Sequence, residues 1–351
     1  MHRRGFILGA GGTALLAGSL RSGAALAAAS TDDDTGSGGV LFPGSAQDAI
    51  LDLFDQYELV GGWSPGHGVR NTDDFLIGLL GNPRLPYTVQ DIAVEGGNSL
   101  YQPILDQYTA GQDVPFAEVQ QVWLNTTQPK VGFSTFYQEL YPLVRRINAR
   151  LPPERRMRVV ACDSPVDWST VTTLQDLQPF MDRDAYIAAA IEQQILARNR
   201  KALLLFGVAH VQHDGGAAGI YEHDFPGSGS FVIADHRGFA ADNDALEQRM
   251  AGWPVPSLAR MAGTWLGELD SSYYSEPAGQ SGYPGVDGYL YEGPRDFLMH
   301  QPISAWTALN ADYIAELQRR NDITQGPGSP QAIEQEEESS SALFYDPDPT
   351  S

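Results

Sequence analysis

Short apolar runs alternate with helix-like segments along most of the chain. Six runs predict β-strands, at residues 57–61, 92–95, 158–162, 202–206, 231–234 and 288–291. Most of them are continuously apolar, which is typical of strands buried on both faces of a parallel sheet. Segments 73–80 and 184–198 place apolar residues at helical spacing between these strands. The alternation predicts an α/β fold, with a mainly parallel sheet and helices on both of its faces.

The two ends of the chain differ in composition from this central part. Residues 1–29 contain Arg3 and Arg4, an apolar Gly/Ala/Leu run and the sequence Ala25-Leu26-Ala27, which together predict a twin-arginine-type export signal. We therefore expect a periplasmic or secreted protein. Residues 30–41 are predicted to be a disordered linker and residues 325–351 an acidic disordered tail. A single α/β domain would then span residues 42–324.

Segment 253–291 is unusually rich in tryptophan and tyrosine. We expect it to form an aromatic-rich insertion near the C-terminus. The sequence leaves two interpretations open: a lid over the strand ends that binds an apolar or cyclic substrate, or a well-packed irregular insertion.

The charge of the chain narrows the choice of partners. Its 22 lysines and arginines face 44 acidic residues, a formal net charge of −22. Such a surface repels nucleic acid and anionic lipid, so a small molecule or a peptide is the expected substrate. No run after the signal is long enough to span a bilayer, so we predict no transmembrane segment in the mature chain. Cys162 is the only cysteine, which excludes an intrachain disulfide.

Titratable residues follow almost every predicted strand. Ligands bind beyond the carboxyl ends of parallel strands, so these exits are where we expect the active site. The exits carry the following residues, in chain order: His67, Glu95, Asp163, Asp167, His210, His213, Asp235, His236 and Glu292.

Residues 62–66 read GWSPG, the G-x-S-x-G pattern of a serine hydrolase's nucleophile elbow. In that chemistry the backbone N–H of the residue after the serine helps to bind the oxyanion. Here that residue is Pro65, which has no N–H. The loss of one such donor costs about 3 kcal/mol of transition-state stabilisation, so we do not assign Ser64 as a nucleophile.

Several segments together resemble a bacterial group of the Tiki/ChaN/erythromycin-esterase-like superfamily. That group opens with a strand followed by G-E-x-H-G, matched by SPGHG at residues 64–68, and continues with a strand that ends in V-E-x-G-N, matched by VEGGN at 94–98. Further matches are VWLNTTQP at 122–129, the G-x-x-H that ends at His210, and DGYLYEGP at 287–294. The similarity covers about residues 46–322.

The resemblance implies an exported hydrolase of ester or amide bonds. His67, Glu95 and His210 would be catalytic residues, supported by Asp163. One position departs from the motif, because its glutamate is Pro65 here. Either the activity has been lost or another carboxylate, such as Asp73 or Asp74, replaces it.

Two histidines and a carboxylate suit a divalent transition metal, so His67, Glu95 and His210 are also candidate metal ligands. A metal there would polarise a carbonyl group and supply hydroxide. Without a metal, Glu95 or His67 would act as a general base. Haem is an alternative cofactor, because the superfamily includes haem-binding proteins. A third possibility is a catalytically inactive relative that binds a ligand.

Structural roles are the alternative for the same residues. Glu95 would then accept hydrogen bonds from the N–H groups of a helix that begins near Asn98. His210 would be a hydrogen-bonded histidine of the core.

Overall fold

A computed structural model of the chain describes residues 39–330 except 64, 67, 214, 239, 241 and 275–278. The described residues form seven strands: β1 (Leu59–Trp63), β2 (Asp91–Asn98), β3 (Arg158–Asp163), β4 (Ala202–Phe206), β5 (Ser230–Asp235), β6 (Ser257–Arg260) and β7 (Gly288–Tyr291). They also form fourteen α-helices: α1 (Ala46–Leu53), α2 (Arg70–Leu80), α3 (Leu85–Thr88), α4 (Gln102–Thr109), α5 (Phe116–Leu124), α6 (Phe136–Asn148), α7 (Leu174–Leu177), α8 (Arg183–Gln194), α9 (Val208–Val211), α10 (Gly216–Asp224), α11 (Asn243–Met250), α12 (Trp265–Glu268), α13 (Ala305–Leu309) and α14 (Ala311–Gln325).

The seven strands form one sheet in the order β3-β2-β4-β1-β5-β7-β6. Six of them are parallel, and only the edge strand β6 runs antiparallel, to β7. All six predicted strands are present, with ends shifted by up to three residues. The sequence analysis missed β6, because a four-residue edge strand does not show a clear apolar pattern.

Side chains of each central strand alternate between two hydrophobic cores. In β4, Leu203 and Leu205 pack into one core, while Leu204 and Phe206 pack into the other. Helices α1, α2, α4, α5, α6 and α14 cover the first face, and α8, α10 and α11 cover the second. This arrangement confirms the predicted α/β fold with helices on both faces.

A close approach between β1 and β4 explains a glycine in the middle of the sheet. A Cβ atom on Gly61 would lie 2.0 Å from the carbonyl oxygen of Leu204. Any larger residue at this position would push the two strands apart. Both strands lie in the middle of the sheet, and their ends form part of the edge where we expect the active site.

The aromatic-rich segment contributes to the sheet itself, because it contains both β6 and β7. Trp253, Tyr274, Tyr289 and Tyr291 are all buried in the core on the α8 face. Their burial favours the well-packed interpretation over a lid.

Two residues assigned to the linker belong to the fold. Val40 is buried and its carbonyl accepts a hydrogen bond from Arg260 N, and Leu41 bridges to Ala259. The predicted linker therefore extends too far. Its remainder, the export signal and most of the acidic tail lie outside the described residues.

Within the described part of the chain, no helix combines the length and the apolar character needed to cross a bilayer.

Candidate active site

Three of the four predicted site residues meet at the carboxyl edge of the sheet. Asp163 is the last residue of β3, Glu95 lies in β2, and His210 lies in α9, directly after β4. Strands β3, β2 and β4 are neighbours, so their exits converge. The fourth residue, His67, lies outside the described residues.

An arginine that the sequence analysis did not single out joins these three residues. Arg183, the first residue of α8, donates from Nε to Asp163 Oδ1 over 2.9 Å and from Nη2 to Glu95 Oε1 over 3.1 Å. Its Nη1 lies 3.0 Å from His210 Nε2. Burial opposes the charge of Arg183, but the two carboxylates outweigh it and raise its pKa. We call Arg183, Glu95, Asp163 and His210 the arginine-centred cluster.

The segment after α5 completes the hydrogen bonds of Asp163. Thr127 donates to it from its backbone N–H over 2.7 Å and from its hydroxyl over 3.0 Å. The same segment reaches Glu95, because Gln128 Nε2 donates to Oε1 over 2.6 Å.

Glu95 also accepts at its other oxygen. The backbone N–H of Gly207 donates to Oε2 over 2.5 Å. Arg183 of α8, Gln128 and the Gly207 N–H at the β4 exit all donate to Glu95. None of these three donors belongs to the helix near Asn98 on which the structural alternative depends.

His210 is held in a fixed orientation by a second carboxylate. Its Nδ1 lies 2.5 Å from Asp184 Oδ1, and its Nε2 lies 3.5 Å from Glu95 Oε1. Because a guanidinium can only donate, the contact with Arg183 makes Nε2 an acceptor, and the proton of the neutral ring then sits on Nδ1. Burial lowers the pKa of His210, but hydrogen bonds to Glu95 and Asp184 outweigh it, so the net shift is upward.

Exposure divides the arginine-centred cluster into an inner and an outer part. The side chains of His210 and Arg183 are 19% and 16% exposed, whereas Glu95 is 2% and Asp163 0% exposed. His210 is therefore not a core histidine. A molecule that approaches from solvent would meet His210 and Arg183 first.

The described part of this cluster does not suit a metal ion or haem. The guanidinium of Arg183 already occupies the position between the carboxylates and Nε2 of His210, the atom that would bind iron. Across the described ranges, no group of three metal-ligating side chains was found. The predicted ligand set includes His67, so the metal prediction stays untested.

The turn that carries the Pro65 departure rests on a buried carboxyl group. The Gly66 N–H donates to Asp73 Oδ1 over 2.8 Å, and Gln301 also donates to Asp73. Burial raises the pKa of Asp73 to about 7. Asp74, in contrast, is half exposed and pairs with Arg70. Of the two predicted substitutes, Asp73 is thus the one that contacts this turn.

Two further strand-exit histidines hold the fold together. His213 lies between Glu222 and Asp287, 2.8 Å from each, which raises its pKa to about 10. His236 is buried and contacts Tyr289 and Glu247. Both ring nitrogens of each histidine contact side chains of the fold, so we assign neither residue to the active site.

Comparison with known proteins adds little. No protein-family model matches the sequence, and no curated protein matches it either. The crystal structure of a Bacillus cereus protein is similar to this chain, with 10% sequence identity and a TM-score of 0.49, over 75% of this chain and 94% of that one. A similarity of this size does not identify a family, so the superfamily resemblance stays a prediction.

Proposed function

We propose that the protein is an exported hydrolase of ester or amide bonds, with its active site at the arginine-centred cluster. One observation carries the proposal. A histidine oriented by the carboxylate of Asp184 lies beside a guanidinium, and both reach solvent at the carboxyl edge of the sheet. The substrate would be a small molecule or a peptide, as the charge of the chain suggests.

The proposed chemistry begins with proton transfer to the histidine. A water molecule attacks the carbonyl carbon and gives its proton to Nε2 of His210, which at the same time gives up the hydrogen bond that it accepts from Arg183 Nη1. Asp184 stabilises the resulting imidazolium through Nδ1, as the carboxylate of a catalytic triad does. When the bond to the leaving group breaks, His210 returns the proton to the leaving oxygen or nitrogen.

Arg183 has a separate role in this proposal. Negative charge develops on the carbonyl oxygen during the attack, and a preorganised cation stabilises it. Glu95 and Asp163 hold the guanidinium from the buried side, so they position Arg183 and do not themselves contact the substrate. No step in this scheme depends on a metal.

The glutamate missing at Pro65 has a candidate replacement in this scheme. Asp73 bonds the adjacent Gly66 N–H, and its raised pKa suits proton exchange near neutral pH. We infer that Asp73 replaces the missing glutamate as the carboxyl group beside Gly66.

The test uses chromogenic substrates. The purified protein is assayed with p-nitrophenyl acetate, p-nitrophenyl butyrate and a p-nitroanilide series. We expect His210→Asn to lower kcat/KM by about 10²–10⁴-fold, the usual contribution of a general base. The matched control is His223→Asn, since His223 is highly exposed and contacts only its neighbour Asp224 among the described residues.

Two outcomes would contradict the proposal. One is a His210→Asn variant that folds normally and keeps activity within threefold of the wild type. The other is the absence of turnover for every substrate. Dialysis against a chelator tests whether the activity needs a metal, because activity that survives the dialysis does not. Activity that is lost, and then restored by one divalent ion, would support the metal-assisted version with His67.

A further inference from the structure

A second polar cluster lies on the other side of β1, at the ends of β5 and β7. Asp235 is the last residue of β5, Glu292 directly follows β7, and Thr72 lies in the first turn of α2. The hydroxyl of Thr72 donates to Glu292 Oε2 over 2.7 Å and lies 3.5 Å from Asp235 Oδ2. Two carboxyl groups therefore converge on one hydroxyl. We call these three residues the Glu292 cluster.

Glu292 has one buried oxygen without a donor. The residue is 3% exposed, and no described residue hydrogen-bonds to its Oε1. Glu95 differs, since both of its oxygens accept hydrogen bonds. A buried carboxyl oxygen without a donor is costly to keep. In a native structure such a group calls for an explanation, and a functional role or a bound ion or water is among the usual ones.

The charges around Glu292 are mainly negative. Asp235, Asp73 and Asp74 all disfavour a further negative charge on Glu292, and burial disfavours it most. One described cation, Arg237, lies beside this cluster, with its Nε 3.8 Å from Asp235 Oδ2. A positively charged donor would therefore be favoured here over a neutral one.

We propose that the Glu292 cluster binds a protonated amine of a ligand. An ammonium group has several N–H donors, so it can bond the Oε1 of Glu292 and the carboxylate of Asp235 at once. Neighbouring strands lie about 4.8 Å apart. Glu95 and Glu292 are four strand positions apart in the sheet, or roughly 19 Å by that spacing. The amine site is thus distinct from the arginine-centred cluster, and its test does not depend on hydrolysis.

The test measures binding of n-butylammonium chloride by saturation-transfer NMR at pH 9, above the pKa of about 8 to which burial raises Glu292, so that its carboxylate is charged. Two control ligands separate charge from hydrogen bonding: tetramethylammonium chloride, which has no N–H, and n-butanol, which has no charge. We expect saturable binding of n-butylammonium alone. Glu292→Gln should weaken it at least tenfold, because the amide keeps an oxygen for Thr72 but loses the charge.

The matched control variant is Glu118→Gln, the same substitution at an exposed position on α5. It should leave the affinity within twofold of the wild type. Equal binding of tetramethylammonium, or equal affinity in Glu292→Gln, would overturn the proposal. So would a lack of saturable binding, which is the result expected if a buried water molecule satisfies Oε1.

Discussion

Replacement of Arg183 tests whether the arginine-centred cluster is held together by one cation. Arg183→Met keeps an apolar stem in place of the arginine side chain but removes its hydrogen bonds to Glu95 and Asp163. Removing one partner of a buried ion pair costs about 3–5 kcal/mol, because the remaining charge is left uncompensated. Both carboxylates keep other donors, from Thr127, Gln128 and Gly207. We therefore expect the lower end of that range, about 3 kcal/mol.

Urea denaturation near neutral pH measures this loss, with Arg158→Met as the control. Arg158 also pairs with a carboxylate, that of Asp106, but at a more exposed site. Exposed pairs contribute about 0.2–1 kcal/mol, so the control should lose at most 1 kcal/mol of ion-pair energy. Equal losses in the two variants would refute the reasoning, since Arg183 would then act as an ordinary surface arginine.

Three further predictions concern other parts of the molecule. Glu292→Gln should become more stable relative to the wild type as the pH rises from 5 to 9. The folded-state pKa of Glu292 is raised from 4.5 to about 8, so its contribution to stability is complete below pH 4.5 and is lost by about pH 8. The gain, measured by urea denaturation, reaches at most about 5 kcal/mol, and a pH-independent difference would contradict it. Gly61→Ala should destabilise the protein by about 3 kcal/mol or prevent folding, because its Cβ would collide with the backbone of β4. Gly215→Ala, whose Cβ has ordinary contacts, is the control, and equal melting temperatures would show that the sheet relaxes. Asp184→Asn should lower the pKa of His210, observed by NMR titration of the ring, because it removes a hydrogen bond that favours the charged form. An unchanged pKa would show that Asp184 does not orient the ring.

The sheet was predictable because most of its strands can be recognised from their own apolar sequence. Strands buried on both faces are continuously apolar, and all six runs lie within three residues of the observed strand at each end. The same pattern placed Glu95, Asp163 and His210 among nine strand-exit residues, and the family resemblance selected them from that set. The antiparallel strand β6 lacks that pattern and was missed.

Arg183 was not predictable by this route. It begins a helix, and nothing in its local sequence distinguishes it from a solvent-exposed arginine near a helix start. Its role depends on two carboxylates that are 20 and 88 residues away in sequence. Thr127 and Gln128 lie in a segment that the resemblance did include, but their contacts with Asp163 and Glu95 depend on the tertiary fold.

The charge of the candidate site bears on its two partly exposed side chains, His210 and Arg183. Among the described groups of the candidate site, Arg183 pairs with Glu95 and Asp163, and His210 pairs with Asp184, so these groups together carry a net negative charge while His210 is neutral. A proton on His210 reduces that excess, which fits the raised pKa of the ring. The same proton occupies Nε2, the atom that accepts from Arg183 Nη1. Proton uptake by His210 would therefore release an N–H of Arg183 at the moment when negative charge appears on the substrate oxygen. In the proposed mechanism, the contact between these two side chains couples the base to the group that stabilises the oxyanion.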